Sequence, residues 1–152
     1  DRLAITTALF GIFVRSANFV NSEIIGKVTD VSWAVIFERI DPLPRHPAQL
    51  YEAFAYLTIF ITLTLVYRTT SARNYRGMLL GVFLMMTFTA RFIIEFFKQQ
   101  QAAYSIDVSL NTGQMLSIPF FIVGVWLVVS SLKRVNKHLN KVVVCLVQQL
   151  IL

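Results

Sequence analysis

The sequence predicts an all-α polytopic membrane protein, a helical bundle of about four membrane helices, and three observations carry that expectation. Hydrophobic residues make up 56% of the 152-residue chain and charged residues 14%, against roughly a quarter charged in soluble domains. Three charge-poor stretches approach the length of about 20 residues that a helix needs to cross a hydrocarbon core of roughly 30 Å. The basic residues sit mostly beside these stretches, where Lys and Arg set membrane orientation. The net charge of +6 is therefore a topology signal and not the footprint of a nucleic-acid binder.

The elements follow in order. After Asp1-Arg2 comes an apolar run over 3–14, too short to span comfortably. It lacks an initiating Met and the pattern of a signal peptide, so the expectation is a chain that starts inside a larger protein, partway through a helix. Residues 15–47 are too polar to span and too rich in Trp, Phe and Ile for a plain linker. Pro42, Pro44 and Pro47 disfavour helix there, which suggests a part-buried loop at the membrane surface. Residues 48–67 form the next span, apolar apart from Gln49 and Glu52 near its start. Residues 77–97 form another, interrupted only by Arg91 and Glu95. Residues 114–132 carry no charge, and Pro119 falls in the first turns, where a missing amide donor does least harm. A membrane domain over 1–134 is then followed by a tail, 135–152, whose apolar end over 142–152 is too short to cross.

Charge gives the orientation. The connection 68–76 holds three arginines and no acid, and Lys133, Arg134, Lys137 and Lys141 follow the last span, again without an acid. Both regions should be cytoplasmic, and the two spans between them make that parity consistent. The segments 15–47 and 98–113 are then external.

Arg91 is the first candidate for chemistry, because a charge within a span is costly and faces a polar interior or cavity. Fourteen residues from Gly77 place it roughly 21 Å across, in the outer half of the core. Glu95, four residues on, shares its helical face and can pair with it. Such a pair either packs the bundle or leaves a fixed cation just beneath the outer headgroups. Arg15 is read either as a snorkelling anchor at a helix end or, with Asn18, Asn21, Glu23 and Gly26 close behind, as part of a headgroup site. If the segment is helical, Arg15, Asn18 and Ser22 share one face. Two arginines at one depth suit a phosphate, because guanidinium forks match its oxygens and keep their charge.

The run 45–52 brings His46, Gln49, Tyr51 and Glu52 to the external mouth of a span. His46 is either a general base near neutral pH or a structural residue, and Glu52 is placed to neutralise one of the arginines. No cluster of hard or imidazole ligands is visible, so neither a metal nor a cofactor is expected. The single cysteine, Cys145, excludes an internal disulfide. It and His138 read as bystanders.

The string Arg15-Ser16-Ala17-Asn18-Phe19-Val20-Asn21-Ser22-Glu23-Ile24-Ile25-Gly26 resembles the signature of prolipoprotein diacylglyceryl transferases. That signature is Gly-Arg, any residue, Gly or Ala, Asn-Phe, an apolar residue, Asn, any residue, Glu, two residues and Gly. Every element fits except the first, where Val14 stands in place of Gly. The runs 44–52 and 91–98, and Gly113-Gln114 through Ser117-Ile118-Pro119, are also similar to the family, so the resemblance extends from about residue 3 to residue 134.

The resemblance implies the C-terminal portion of a seven-helix transferase of the bacterial inner membrane, with a site open to the outer leaflet. The implied reaction moves the diacylglyceryl group of phosphatidylglycerol to the lipobox cysteine thiol of a prolipoprotein, forming a thioether and releasing glycerol phosphate. It implies catalytic roles for Arg15, Asn18, Glu23 and Arg91. It also implies phosphatidylglycerol binding by Arg15, Asn18, Asn21, Gly26, Arg91 and Glu95, with His46, Gln49, Tyr51, Glu52 and Gln114 as further candidates. Phosphatidylglycerol, prolipoprotein signal peptides and membrane lipids are the expected partners, and nucleic acid is not. The family's His-Gly motif and a functional Tyr belong to an N-terminal half that this chain lacks, so the chain is expected to hold lipid-binding residues without being a complete enzyme. Two rival readings are a transporter or channel fragment built on Arg91 and Glu95 and a structural membrane subunit that uses the arginines as helix glue. The transporter reading calls for inverted repeats, and no internal repeat is visible.

Overall fold

The computed structural model describes residues 1–69, 75–98 and 112–151. Four helices follow one another: α1 (Arg2–Val20), α2 (Ala48–Thr69), α3 (Met78–Ile94) and α4 (Thr112–Ile151). Each is long and apolar enough to cross a membrane, α3 together with the turn that extends it to Phe97. The chain is a helical membrane protein. Its outer surface agrees, since Phe10, Phe13, Phe54 and Trp126 are each about two-thirds exposed. In water that would be an aggregation liability, whereas lipid tails solvate it.

Two boundaries differ from the sequence reading. The first helix does not stop at Val14 but runs through the polar residues to Val20, which gives it 19 residues and full spanning length. It ends because Ser22 turns left-handed, with φ of 58°. The Ser22 amide then donates to the Phe19 carbonyl and the Glu23 amide to that of Asn18, which together close the last turn. Ser22 is therefore outside the helix and does not extend the face of Arg15 and Asn18. The fourth helix does not end near Leu132 but continues to Ile151, and Pro119 lies two turns inside it. Most of the connections expected at 68–76 and 98–113 lies outside the described residues, as do the side chains of His138 and Cys145.

The segment between α1 and α2 is irregular, apart from a short antiparallel ladder of β1 (Val35–Ile36) with β2 (Pro44–Arg45). A core of Ala4, Ala8, Ile59, Leu63, Leu79 and Phe83 joins α1, α2 and α3. α3 and α4 meet through glycine: a Cβ on Gly81 would lie 2.9 Å from the Gly124 carbonyl oxygen, and one on Gly124 3.0 Å from that of Gly81. Small residues bring helix backbones this close in membranes, where packing replaces the hydrophobic effect. Hydroxyls within the spans are satisfied locally, as when Thr58, Thr62 and Thr64 donate to carbonyls four residues back.

Up-and-down topology puts the C-terminal ends of α1 and α3 beside the N-terminal ends of α2 and α4. At the opposite end the Asp1 carboxylate accepts from the amides of Gly77 and Leu80, capping α3 from a different helix.

Candidate functional site: a shared carboxylate among three cations

Glu52 lies one turn into α2 and is 2% exposed. A carboxylate so deep must be paired, since desolvating it alone costs several kcal/mol or more. Two cations reach it: Arg15 Nε stands 3.0 Å from Oε2, and Lys98 Nζ stands 2.8 Å from Oε1. Both contacts are ion pairs without hydrogen-bond alignment. Arg91 lines the same cleft as Glu52, with Tyr56, Ile59, Thr87 and Ile94 around them. Thr87 contributes a buried hydroxyl that has no hydrogen-bond partner.

Arg91 and Glu95 do not pair. After Ile94 the chain tightens into a 3₁₀ turn over Glu95–Phe97. Glu95 itself is still one α-turn on from Arg91, whose carbonyl accepts its amide, so the pair is lost through the direction the Glu95 side chain takes. Glu95 turns instead toward α4, where a Cβ on Gly113 would sit 2.8 Å from its carboxyl carbon. The first turn of a helix attracts a carboxylate through its unpaired amides. Lys98 Nζ lies 3.7 Å from the other side of Glu95. The readings built on an Arg91–Glu95 pair, ion site or helix glue, therefore lose their central contact.

The loop that caps this cluster depends on Gly26. Its amide donates to the His46 carbonyl, Lys27 donates to that of Phe97, and His46 donates back to that of Lys27. Gly26 also bridges Lys98 in antiparallel fashion. A Cβ on Gly26 would collide with the His46 carbonyl oxygen and lie 2.9 Å from that of Phe97. No other residue lets these three segments meet. Arg45, 7% exposed, fastens the same loop by pairing with Asp41 and donating to the Gly26 carbonyl. The Arg45 guanidinium, by hydrogen bonding, holds the Asp41 carboxyl below its ordinary pKa, and Asp41 in turn raises that of Arg45.

The other sequence candidates fall into two groups. Gln49, wholly buried, donates to the Glu23 carbonyl and ties the turn after α1 to the start of α2. Gln114 donates to the Phe92 carbonyl, one of the last unpaired carbonyls of α3. His46 Nδ1 lies 3.1 Å from the Tyr51 hydroxyl, which accepts from Trp33, and both rings pack edge-on against Phe97. These are positions in a scaffold around the cluster. Asn21 and Glu23, by contrast, present exposed side chains on the turn, and Asn18 is half-buried on α1 above Arg15. The turn is strained, because Ile24 sits at φ of 54°, a conformation that β-branched residues rarely adopt. Lys98 and Arg45 were not singled out in the sequence. A Lys closing an apolar span reads as an ordinary anchor, and the Asp41-to-Arg45 spacing of four residues was the one available hint of the clamp.

The family model for prolipoprotein diacylglyceryl transferase matches residues 1–130. The chain belongs to that family. It is 56% identical over 134 residues to the phosphatidylglycerol–prolipoprotein diacylglyceryl transferase of Tolumonas auensis, covering 88% of this chain and 52% of that protein. It is 50% identical over 126 residues to the protein of the same name from Bacteroides fragilis, covering 83% and 46%. With the one from Chloroherpeton thalassium it shares 50% identity over 134 residues, covering 88% and 50%. The chain thus spans about half the length of the curated relatives it matches. No solved structure matches it.

Proposed function

We propose that this chain supplies the lipid-headgroup half of a diacylglyceryl transferase acting on phosphatidylglycerol and the lipobox cysteine of prolipoproteins. The supporting observation is the arrangement of Arg15 and Arg91 about Glu52 at one end of the bundle, beside an irregular loop. A phospholipid phosphate lies at that depth in a bilayer. In the reaction the substrate thiolate attacks the glyceryl carbon bonded to the phosphate oxygen. The carbon–sulfur bond forms, the carbon–oxygen bond breaks, and its electron pair departs with glycerol phosphate. A singly charged diester becomes a monoester nearing two charges, so negative charge grows on the phosphate oxygens.

Arg15 and Arg91 stabilise that growing charge from fixed positions in a low-dielectric setting. Asn18, Asn21 and Glu23 orient the headgroup and the incoming lipobox, and the Thr87 hydroxyl offers a further donor. Gly26 holds the cover of the site in place, while Glu95 fixes the turn below it. His46 with Tyr51 stands at the mouth, where a proton acceptor for the thiol is needed. The host membrane is the bacterial inner membrane, with the site toward the outer leaflet and the end of α4 in the cytoplasm. The transferase body is 1–134, and 135–152 is a tail.

The test is Arg91→Gln in the full-length enzyme, assayed by the mobility shift of a lipobox peptide in phosphatidylglycerol vesicles. Transfer should fall on the order of a hundredfold or more, the loss typical of removing one preorganised donor, with normal accumulation in the membrane. Near-native transfer by the variant overturns the proposal.

A further inference from the structure

Lys98 is buried, joins two carboxylates and has no part in the reaction just described. We propose that it is a positioning residue: by occupying the second oxygen of Glu52, it keeps that carboxylate from capturing Arg91 and so leaves the Arg91 guanidinium for the substrate phosphate. This rests on the reading of Arg15 and Arg91 as the headgroup cations.

Four observations carry it. Glu52 has two oxygens and three cations around it; Arg15 takes one and Lys98 the other, at 3.0 and 2.8 Å. Arg91 lines the cleft with Glu52 yet forms no ion pair or hydrogen bond among the described residues. Lys98 is 9% exposed, and its backbone is held against Gly26 by a bridge, so its ammonium is aimed by the fold rather than by a flexible surface stem. Three cations (Arg15, Arg91, Lys98) against two carboxylates (Glu52, Glu95) leave one positive charge, which a phosphodiester of charge −1 cancels.

Remove the ammonium and that balance changes. The cluster becomes neutral before any lipid enters, and the freed oxygen of Glu52 faces Arg91 across the cleft. In a site shielded from water the pair forms at the expense of the phosphate. A guanidinium already bound to a carboxylate has fewer donors and less field to offer an incoming anion.

The experiment compares Lys98→Met, Lys98→Arg and the double variant Lys98→Met with Glu52→Gln in the full-length enzyme, by the same peptide mobility shift. Lys98→Met should lower transfer at least tenfold, and Lys98→Arg should keep half or more. The double variant, which restores the excess of one positive charge, should recover to within about threefold of the parent. Near-native transfer by Lys98→Met overturns the proposal, and so does a double variant as impaired as the single one. If Lys98→Met fails to accumulate in the membrane, the double variant decides alone: recovery supports the role and loss refutes it. The underlying reading fails separately, if Arg91→Gln transfers normally.

Discussion

At one end of the bundle five charged side chains gather around a cleft, under a loop that includes two non-glycine residues with positive φ. At the other end a single carboxylate from Asp1 caps α3, and Ser131 donates to the Arg76 carbonyl at 2.8 Å. Among the described residues, the second end does what a helix terminus requires. The first carries charge, desolvation and backbone strain well beyond what joining four helices needs. Among the described residues such local cost concentrates at the first end, and that is how a membrane protein marks where its chemistry lies.

Substitutions at the two ends should therefore behave differently. The largest loss is expected from Glu52→Ala, which leaves Arg15 and Lys98 buried without their shared partner. Removing one member of a buried ion cluster costs about 3–5 kcal/mol, so thermal unfolding in detergent should shift sharply downward. A variant as stable as the parent would show that the cluster is solvated. Next, Gly26→Ala forces a methyl group against the carbonyls of His46 and Phe97. About 1–3 kcal/mol of overpacking is expected, and proteolysis within the 21–47 loop should quicken, because the stitch that holds it is broken.

Asp1→Ala tests the opposite end. The lost cap is worth about 1 kcal/mol, visible as a small drop in midpoint with transfer unchanged; a loss of transfer would mean that the two ends are coupled. The smallest effect concerns acid. Asp41 titrates lower in the fold than its ordinary 3.8, so the folded form takes up its proton less readily than the unfolded chain does. Its contribution is complete above that ordinary value and disappears as pH falls through the depressed one. Amide exchange at Gly26 should stay flat from pH 7 down to about 4, after allowing for intrinsic rates, and rise below it. Asp41→Asn should abolish the dependence on acid.

Much of this molecule is legible in its sequence, and the failures share a cause. Apolar length reveals the spans, because lipid admits few alternatives to a hydrogen-bonded helix. Boundaries were misread wherever polar residues are helical. Arg15 and Asn18 look like an ending, yet α1 runs past them and stops at Ser22, a position where glycine would have signalled the turn. The lysines after Leu132 look like the end of a helix, yet α4 continues through them. Within the site, Glu52 as counter-ion to an arginine followed from depth alone. The partner of Glu95 did not, because helical periodicity places it one turn from Arg91 and says nothing of the start of α4 that packs against its carboxylate. Lys98 owes its place to a bridge with Gly26, more than seventy positions away in the chain, and no local pattern encodes such a meeting.

The glycine contact between α3 and α4 bears on how rigidly the bundle is joined. Where Gly81 and Gly124 touch, main chain rests on main chain, with no side chain between them to swing aside. That joint works as a fixed chassis. By contrast, Arg91 and Glu52 line a cleft whose walls are side chains of α3 and α2.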